Sequence, residues 1–402
     1  MKRSVVYSTL FIFTLILCVD VKAQNNENPL YSEVSGYFAF DYRYFPEEGL
    51  YPGQKQEYFS SVFSPEILLE WQKGKQRLKF VGFGRIDQHD NQRTHADIRE
   101  LYYQKIWKKI ELSAGVKKIF WGVTESNHLV DFVNQTDVLE GFDLENKLGQ
   151  PMVHLSYLPN WGTIDVMVMP YFREMQFPGM RGRLRPPFDA SLIPVFYESE
   201  HEEYNPDIAV RYSNSKGVFD FGITNFYGTA RQPIFIISSP TTFRTLYEVA
   251  NQTGVDIQAL TGSMLWKLEA LHRESNRKTI TAIIVGGEYT FSNMFRSGID
   301  LGLIAEYNYD DRGEELISAL DDDIFLGTRI AFNDKQSTDF IGGVIIDRNN
   351  QTQRYFAEAN RRIGDSWKLS LKAFGYNNID ESEFLYLLRK DGYMEASLAK
   401  YF

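Results

Sequence analysis

The sequence predicts an all-β chain: a transmembrane, antiparallel, up-and-down β-barrel of about eighteen strands, with about sixteen as the alternative, behind an N-terminal signal peptide. Three observations predict it. Segments of roughly ten residues alternate apolar and polar side chains along the chain, the signature of a strand with one face in lipid and one in a wet lumen. Connections between segments are short and long by turns, so one rim is tight and the other carries loops. The chain also closes on an alternating segment, Gly392 to Phe402, that ends on Tyr401-Phe402.

Residues 1–23 read as the signal peptide. Lys2 and Arg3 form its basic start, residues 5–19 are apolar but short for a bilayer span, and Val21-Lys22-Ala23 suits cleavage before Gln24. Cys18, the one cysteine, falls in this segment, and the bulky Leu17 before it argues against acylation. The mature chain, residues 24–402, then has no thiol for disulfide or metal chemistry. No linker or shift of composition divides it, so it reads as one domain. Removing three bases and one acid with the signal moves the net charge from −10 to −12. An acidic chain of this kind excludes nucleic acid as a partner, because that demands a basic footprint.

Beyond the signal no apolar run is long enough for a transmembrane helix, yet a barrel strand needs only about five lipid-facing residues. The 24 Tyr, 30 Phe and 6 Trp, 15% of the chain, suit aromatic girdles at two interfaces, although composition alone would also allow a secreted β-sandwich or propeller. Arrangement decides.

Residues 32–45 open the barrel, with Val34, Phe38, Phe40, Tyr42 and Tyr44 on one face and Ser35, Asp41 and Arg43 on the other. Residues 63–72 descend to the turn Lys73-Gly74-Lys75, and residues 78–87 rise to a polar connection at 88–94. Residues 96–107 and 110–120 form a hairpin about Lys108-Lys109, followed by a long polar excursion from Trp121 to Gln150. Residues 152–158 and 164–173 flank Pro159-Asn160-Trp161-Gly162, and a long loop, 174–205, follows. Residues 208–212 and 219–227 flank Asn214-Ser215-Lys216-Gly217, and another long loop runs from 228 to about 246. Phase then depends on one turn. If residues 247–271 were a single strand, the acidic stretch 310–322 would land on the tight rim; with a turn at Thr261-Gly262, segments 247–260 and 263–273 keep the later loops in phase. Segments 279–291, 298–309, 323–332, 340–347, 354–363, 367–377 and 393–402 complete eighteen, and both termini fall on the tight rim.

Several short motifs spread over most of the mature chain carry a resemblance. Arg99-Glu100-Leu101-Tyr102, Gly115, Trp121-Gly122, Asn127, Asp131, Asn134 and Asp137 form the first group. Lys267 with Glu269, Asp323 with Gly327 and Arg329, Asn333-Asp334, and Tyr401-Phe402 form the second. Together these resemble the alginate-export-type outer-membrane porins and porin-like relatives of Gram-negative bacteria. The resemblance implies an outer-membrane barrel of about eighteen strands and passive movement of small or polymeric solutes. No enzyme activity and no cofactor are expected. The alginate exporters are distinguished by an arginine-lined lumen, whereas the strand charges here are mixed: Arg43, Arg85, Arg211, Lys267 and Arg329, with Lys79, Lys368 and Lys372, face Asp41, Glu66, Glu70, Glu269, Glu288, Asp300, Glu306 and Glu358.

Two loops are candidates for function. Trp121, Asp131, Asn134, Asp137, Asp143 and Glu145 sit in the excursion after residue 120. Folded inward, these carboxylates would face the lumen bases and set a transverse field at a constriction; otherwise they make local turns in solvent. The constriction is the preferred reading, mainly because of the family resemblance. Arg173, at the end of the preceding segment, and Arg181, Arg183 and Arg185 in the 174–205 loop concentrate positive charge, either against lipopolysaccharide phosphates at the surface, the first reading, or in the pore, where guanidinium groups favour carboxylates or sulfates. The acidic stretch from Asp310 to Asp323 matches no cation-loop spacing and reads as a solvated loop. His89 and His95 lack further nearby ligands, so no metal site is expected.

The expected function is a passive channel for small polar or anionic solutes, sugar acids among them. A plugged barrel acting as a receptor or structural protein is the alternative. An outer-membrane lipid hydrolase is the third reading, because His154 and Ser156 share one face of a strand; the more apolar Val153, Leu155 and Tyr157 send that pair to the lumen, away from lipid. Expected partners are outer-membrane lipids and lipopolysaccharide, small polar solutes, and the barrel-insertion machinery acting on the strand that ends at Phe402.

Overall fold

Alternating segments with charges on one face can satisfy every backbone donor and acceptor in lipid only by closing on themselves. The computed structural model describes residues 30–141, 145–239, 242–312 and 320–402, so the expected signal peptide lies outside the described residues. Seven strands come first: β1 (Tyr31–Tyr44), β2 (Glu57–Trp71), β3 (Gln76–Asp87), β4 (His95–Trp107), β5 (Ile110–Lys117), β6 (Gln150–Tyr157) and β7 (Thr163–Met169). After a short β8 (Val195–Tyr197) come β9 (Asp207–Lys216) and β10 (Phe219–Thr229), then two loop strands, β11 (Ile234–Ser239) and β12 (Thr242–Tyr247). The rest are β13 (Val249–Thr261), β14 (Met264–Ser275), β15 (Thr279–Met294), β16 (Ile299–Asp310), β17 (Asp322–Ala331), β18 (Asp339–Asp347), β19 (Gln353–Ile363), β20 (Trp367–Asn377) and β21 (Tyr393–Tyr401).

All but β8, β11 and β12 belong to one 18-stranded sheet. Each strand pairs antiparallel with the next, and β21 returns to β1 in register from Tyr37↔Tyr401 to Tyr44↔Met394. The barrel is closed, and the sixteen-strand alternative is set aside. The turn at Thr261-Gly262 exists: Thr261 pairs Met264, and Gly262 takes φ +64°, a left-handed value that glycine adopts without strain.

Side-chain direction follows the alternation. On β1, Val34, Phe38 and Phe40 are exposed outward while Ala39, Asp41 and Arg43 are buried inside. On β6, Val153 and Leu155 face out and Met152 is buried within. The outward face is therefore apolar, as a bilayer requires. Trp107, Trp161, Trp266 and Trp367 are exposed close to the short-turn rim, and Trp71, near the same rim, stacks on Tyr103; this is one aromatic girdle. Trp121, the sixth tryptophan, lies elsewhere, in the long loop inside the barrel.

Some boundaries differ from the sequence expectation. β2 begins at Glu57 rather than near 63, while β5 stops at Lys117 and β7 at Met169, earlier than residues 120 and 173. β2 starts early because residues 57–62 pair with β1, whereas beyond β5 and β7 the chain turns to loop partners, Ile119 N–H to Asn134 and Phe172 N–H to the Glu203 carbonyl. The 174–205 and 228–246 stretches, expected as plain loops, contribute β8, β11 and β12 to a separate three-stranded sheet, and Tyr247 belongs to β12. The largest apolar core lies inside the barrel. Leu129, Val130, Phe132 and Val133 of the loop after β5 pack on Met152, Met167, Met169, Ala209, Phe226, Leu271, Ala282 and Ile284 of the wall.

Candidate functional site

In the connection from β5 to β6, the described residues 118–141 and 145–149 fold into the lumen and cross it. Its first stretch is held by two wall carboxylates. Val123 and Thr124 donate backbone N–H groups to Glu269 Oε1 on β14 at 2.7 and 3.0 Å, and the Thr124 hydroxyl donates to the same atom at 2.7 Å. Glu125 and Ser126 donate backbone N–H groups to Glu306 on β16 at 2.8 Å each, with the Ser126 hydroxyl at 2.7 Å. Glu125 itself reaches Arg329 on β17 at 2.5 Å and lies 3.8 Å from Lys267.

The later part of the loop grips the opposite wall, nearly half the ring away. Arg85 on β3 donates to both oxygens of Glu140 at 2.8 and 2.6 Å and to Asp41 at 2.7 Å. Arg43 on β1 pairs with Glu395 at 2.6 Å and donates to the Glu140 carbonyl at 3.3 Å. Arg99 on β4 donates to Asp137, and Arg93 to the Leu139 carbonyl at 3.0 Å. Between these anchors Asn134 donates to the carbonyls of Lys117 and Leu148 at 2.9 and 2.8 Å, and Arg231 donates to that of Val133 at 2.7 Å. Buried polar groups thus find partners across the lumen, as burial demands.

The sequence candidates separate into two kinds. Asp137, Asn134, Arg43, Arg85 and Arg211 are internal braces; Arg211 makes a bidentate pair with Asp256 at 2.6 and 2.8 Å and lies 4.9 Å from the Trp121 ring. Asp131 sits 3.2 Å from Lys147 within the loop. Glu145, Lys267, Glu269 and Arg329 surround the crossing point of loop and wall. Asp143 lies outside the described residues, as do parts of the acidic stretch after Asp310.

Electrostatics inside the loop are set by burial working against pairing. Burial would push the His128 imidazole down, but Glu145 at 3.4 Å and Glu269 at 3.8 Å raise it to about 10, so it is a cation at neutral pH. Burial raises and His128 lowers Glu145, whose carboxyl ends below its ordinary value. Asp137 is likewise held low by His95 and Arg99 despite burial, whereas burial leaves Asp131 raised even with Lys147 beside it.

A cavity of about 290 Å³ remains between the loop and β18–β20, with Glu125 and Glu145 on the loop side and Arg354, Glu358, Lys372, Phe356 and Tyr376 on the wall side. A smaller space of about 90 Å³ lies on the other flank of the loop, lined by His128, Asp131, Lys147, Arg231, Arg273 and Arg312. Glu125, Glu140, His128, Arg354 and Lys372 were not among the sequence candidates for the site. Glu140 carried no signal, while Lys372 stood on an alternating lumen face like Lys267.

The basic loop holds part of its charge inside the protein and part on the surface. Arg183 is buried, donating to Asp391 at 2.5 Å and to the Glu47 carbonyl at 3.1 Å, and Arg185 lies 4.2 Å from the Tyr51 ring. Tyr58 and Gln54 donate to the carbonyls of Arg181 and Gly182 at 2.6 and 2.7 Å. The segment therefore leaves β7 and reaches over to the loops beside β1, β2 and β21, forming a lid on the long-loop rim. Arg173 donates to Asp97 at 2.8 Å, and the Arg181 side chain is exposed.

Two other clusters resolve on geometry. His154 Nε2 is 2.9 Å from Asp165 and 3.1 Å from Ser156, while Lys117 stands 3.1 Å from Nδ1. A hydrolytic triad needs the carboxylate and the serine on opposite ring nitrogens; here both crowd Nε2, and the serine also donates to Asp165. His95, Asp137 and Glu140 gather within 4.8 Å of one another, but the guanidinium groups of Arg99 and Arg85 already neutralise the two carboxylates.

No protein-family model matches the chain, and no curated protein matches it. Solved structures do. A BenF-like porin from Pseudomonas fluorescens Pf-5 aligns with a TM-score of 0.55 at 7% identity over 93% of this chain and 98% of its own. OccK11 (OpdR) of Pseudomonas aeruginosa aligns with a TM-score of 0.52 at 8% identity over 93% of this chain and 96% of its own. At such identities the likeness is one of fold: this chain is built as a porin-type barrel.

Proposed function

We propose that the protein is a passive outer-membrane channel of Gram-negative bacteria for small polar or anionic solutes, with sugar acids as the substrate class suggested by its resemblance to alginate-export-type porins. The observation that carries this reading is the loop of residues 118–149 strung from wall to wall, with a cavity of about 290 Å³ beside it where loop carboxylates oppose Arg354 and Lys372. Opposed charges across a narrow passage orient dipolar solutes and select by charge, with no bond broken. Asp131, Asn134, Asp137 and Trp121 act in this reading by fixing the shape of the loop. Insertion through the strand ending at Phe402, and lipopolysaccharide around the long-loop rim, belong to the same proposal.

Planar-bilayer recording of the refolded barrel tests it. Discrete conductance steps are expected, and Arg354→Ala with Lys372→Ala should shift the reversal potential in a salt gradient toward cations. A barrel that inserts yet passes no current would overturn the channel. The apolar packing of Leu129, Val130, Phe132 and Val133 against the wall favours one second reading, a plugged barrel acting as a receptor or structural protein. A silent barrel that still binds solute would support that alternative.

A further inference from the structure

The turns that join β2 to β3 and β4 to β5 lie side by side on the short-turn rim. Trp71 pairs Gln76, Gln76 pairs Lys105, and the Ile106 N–H donates to the Lys75 carbonyl at 2.8 Å, so the two hairpin ends are locked together. Lys73 and Lys75 stand on the first hairpin end, and Lys105, Lys108 and Lys109 on the second. Lys73, Lys75, Lys108 and Lys109 are exposed, while Lys105 lies 4.9 Å over the Trp107 ring. Among the described residues none of these ammonium groups meets a carboxylate, and Lys109 donates to the neutral Asn160 at 2.8 Å.

The acids at this end are already engaged and face the other way. Glu70 pairs with Arg77 at 2.9 Å, and Glu111 accepts from Gln104 at 2.9 Å. Each alternates with an outward neighbour, Trp71 or Ile110, and so belongs to a lumen-facing row. A chain of net charge −10 thus carries an uncompensated basic sector. Lys73 and Lys108 moreover take φ +60° and +41°, left-handed values that glycine or asparagine adopts with less strain.

Depth in the membrane identifies the partner. Trp71, Tyr103 and Trp107 belong to the aromatic girdle, which sits at headgroup level. Lys73 is two residues past Trp71 and Lys108 one past Trp107, at a rise of about 3.3 Å per residue. Their flexible stems then carry the ammonium groups to the phosphate layer. Short turns of such barrels face the periplasm, where the leaflet is phospholipid.

We propose that the β2–β5 sector of the short-turn rim binds anionic phospholipid headgroups of the inner leaflet, in preference to zwitterionic ones. Each lysine near an anionic surface strengthens the attraction roughly fivefold, and neighbours within a Debye length of about 8–10 Å act together. The patch requires a barrel seated in an outer membrane and is independent of whether its lumen conducts.

The test uses the full barrel refolded in detergent without lipopolysaccharide and mixed with equal amounts of phosphatidylglycerol and phosphatidylcholine of the same acyl chains. Native mass spectrometry should count at least about fivefold more phosphatidylglycerol than phosphatidylcholine retained. The excess should shrink as salt rises from about 0.1 to 1 M and the Debye length falls from about 10 to 3 Å. Lys73→Asn/Lys75→Gln/Lys105→Gln/Lys108→Asn/Lys109→Gln should bring the two lipids toward parity, whereas Lys216→Gln/Lys335→Gln, on other turns of the same rim, should keep the preference. Parity in the wild type overturns the proposal, as does an unchanged preference in the five-lysine variant. Parity together with lysine-dependent binding to purified peptidoglycan would overturn it in favour of the cell wall. If the five-lysine variant fails to fold, the wild type and Lys108→Asn/Lys109→Gln still decide it.

Discussion

Replacing Glu269 and Glu306 with glutamine should loosen the loop without breaking the wall. Glutamine keeps the volume of each side chain but removes its charge and turns one acceptor into an N–H₂ donor. Glu269 accepts three hydrogen bonds on one oxygen from Val123 and Thr124, and Glu306 accepts from Glu125 and Ser126. Hydrogen bonds to charged groups contribute about 1.5–3 kcal/mol against about 1 for neutral ones, so losing charge assistance on three bonds removes about 3 kcal/mol per site. At 1.4 kcal/mol per decade, the ratio of held to released loop should fall roughly a hundredfold for each substitution. Single-channel recording reads this as longer visits to a higher-conductance level, more so in Glu269→Gln/Glu306→Gln than in either single variant. A double variant whose conductance and open-channel noise superimpose on the wild type would refute the argument that these two carboxylates hold the loop.

Alkaline pH should have a related effect through His128. Its value is raised to about 10 from 6.5, so its contribution is complete below the ordinary histidine range and is lost as pH rises through about 10. Current noise should therefore grow between neutral pH and pH near this value, and His128→Gln should flatten that dependence. Arg183→Ala leaves Asp391 buried without its partner, which costs about 3–5 kcal/mol; limited proteolysis should then cut residues 174–205 faster, while barrel strands stay protected. Ser156→Ala should leave any ester hydrolysis by the purified barrel unchanged, since His154 Nε2 already faces Asp165; a loss of activity on a lipid ester would reinstate the serine as a nucleophile.

Much of the wall was legible because its rule is local. A residue two places along faces the same side, so Asp41 and Arg43 could be assigned inward and Phe38 and Phe40 outward from the sequence alone. Parity did the rest: with Thr261-Gly262 as a turn, every later hairpin fell on the correct rim. The lid was not legible, because β8, β11 and β12 are short and their pairing depends on segments that meet only after the barrel closes.

The two kinds of lumen charge explain why residue type alone misranks the site. Arg43, Arg85 and Arg211 were prominent in the sequence as bases on the inner face, yet each is buried and holds a carboxylate, bridging wall to wall or wall to loop. Buried pairs of this sort fix geometry, and removing one partner disturbs the fold more than the field a solute meets. Arg354 was not singled out in the sequence, and Lys372 stood there only as one of the mixed strand charges, on β19 and β20 respectively. Their side chains border the cavity because the loop leans toward β14 and β16 and away from β19 and β20. Where the loop is tethered thus decides which side chains border the cavity. Glu269 and Glu306, two acids on the far wall, hold the loop so that Arg354 and Lys372 line that space.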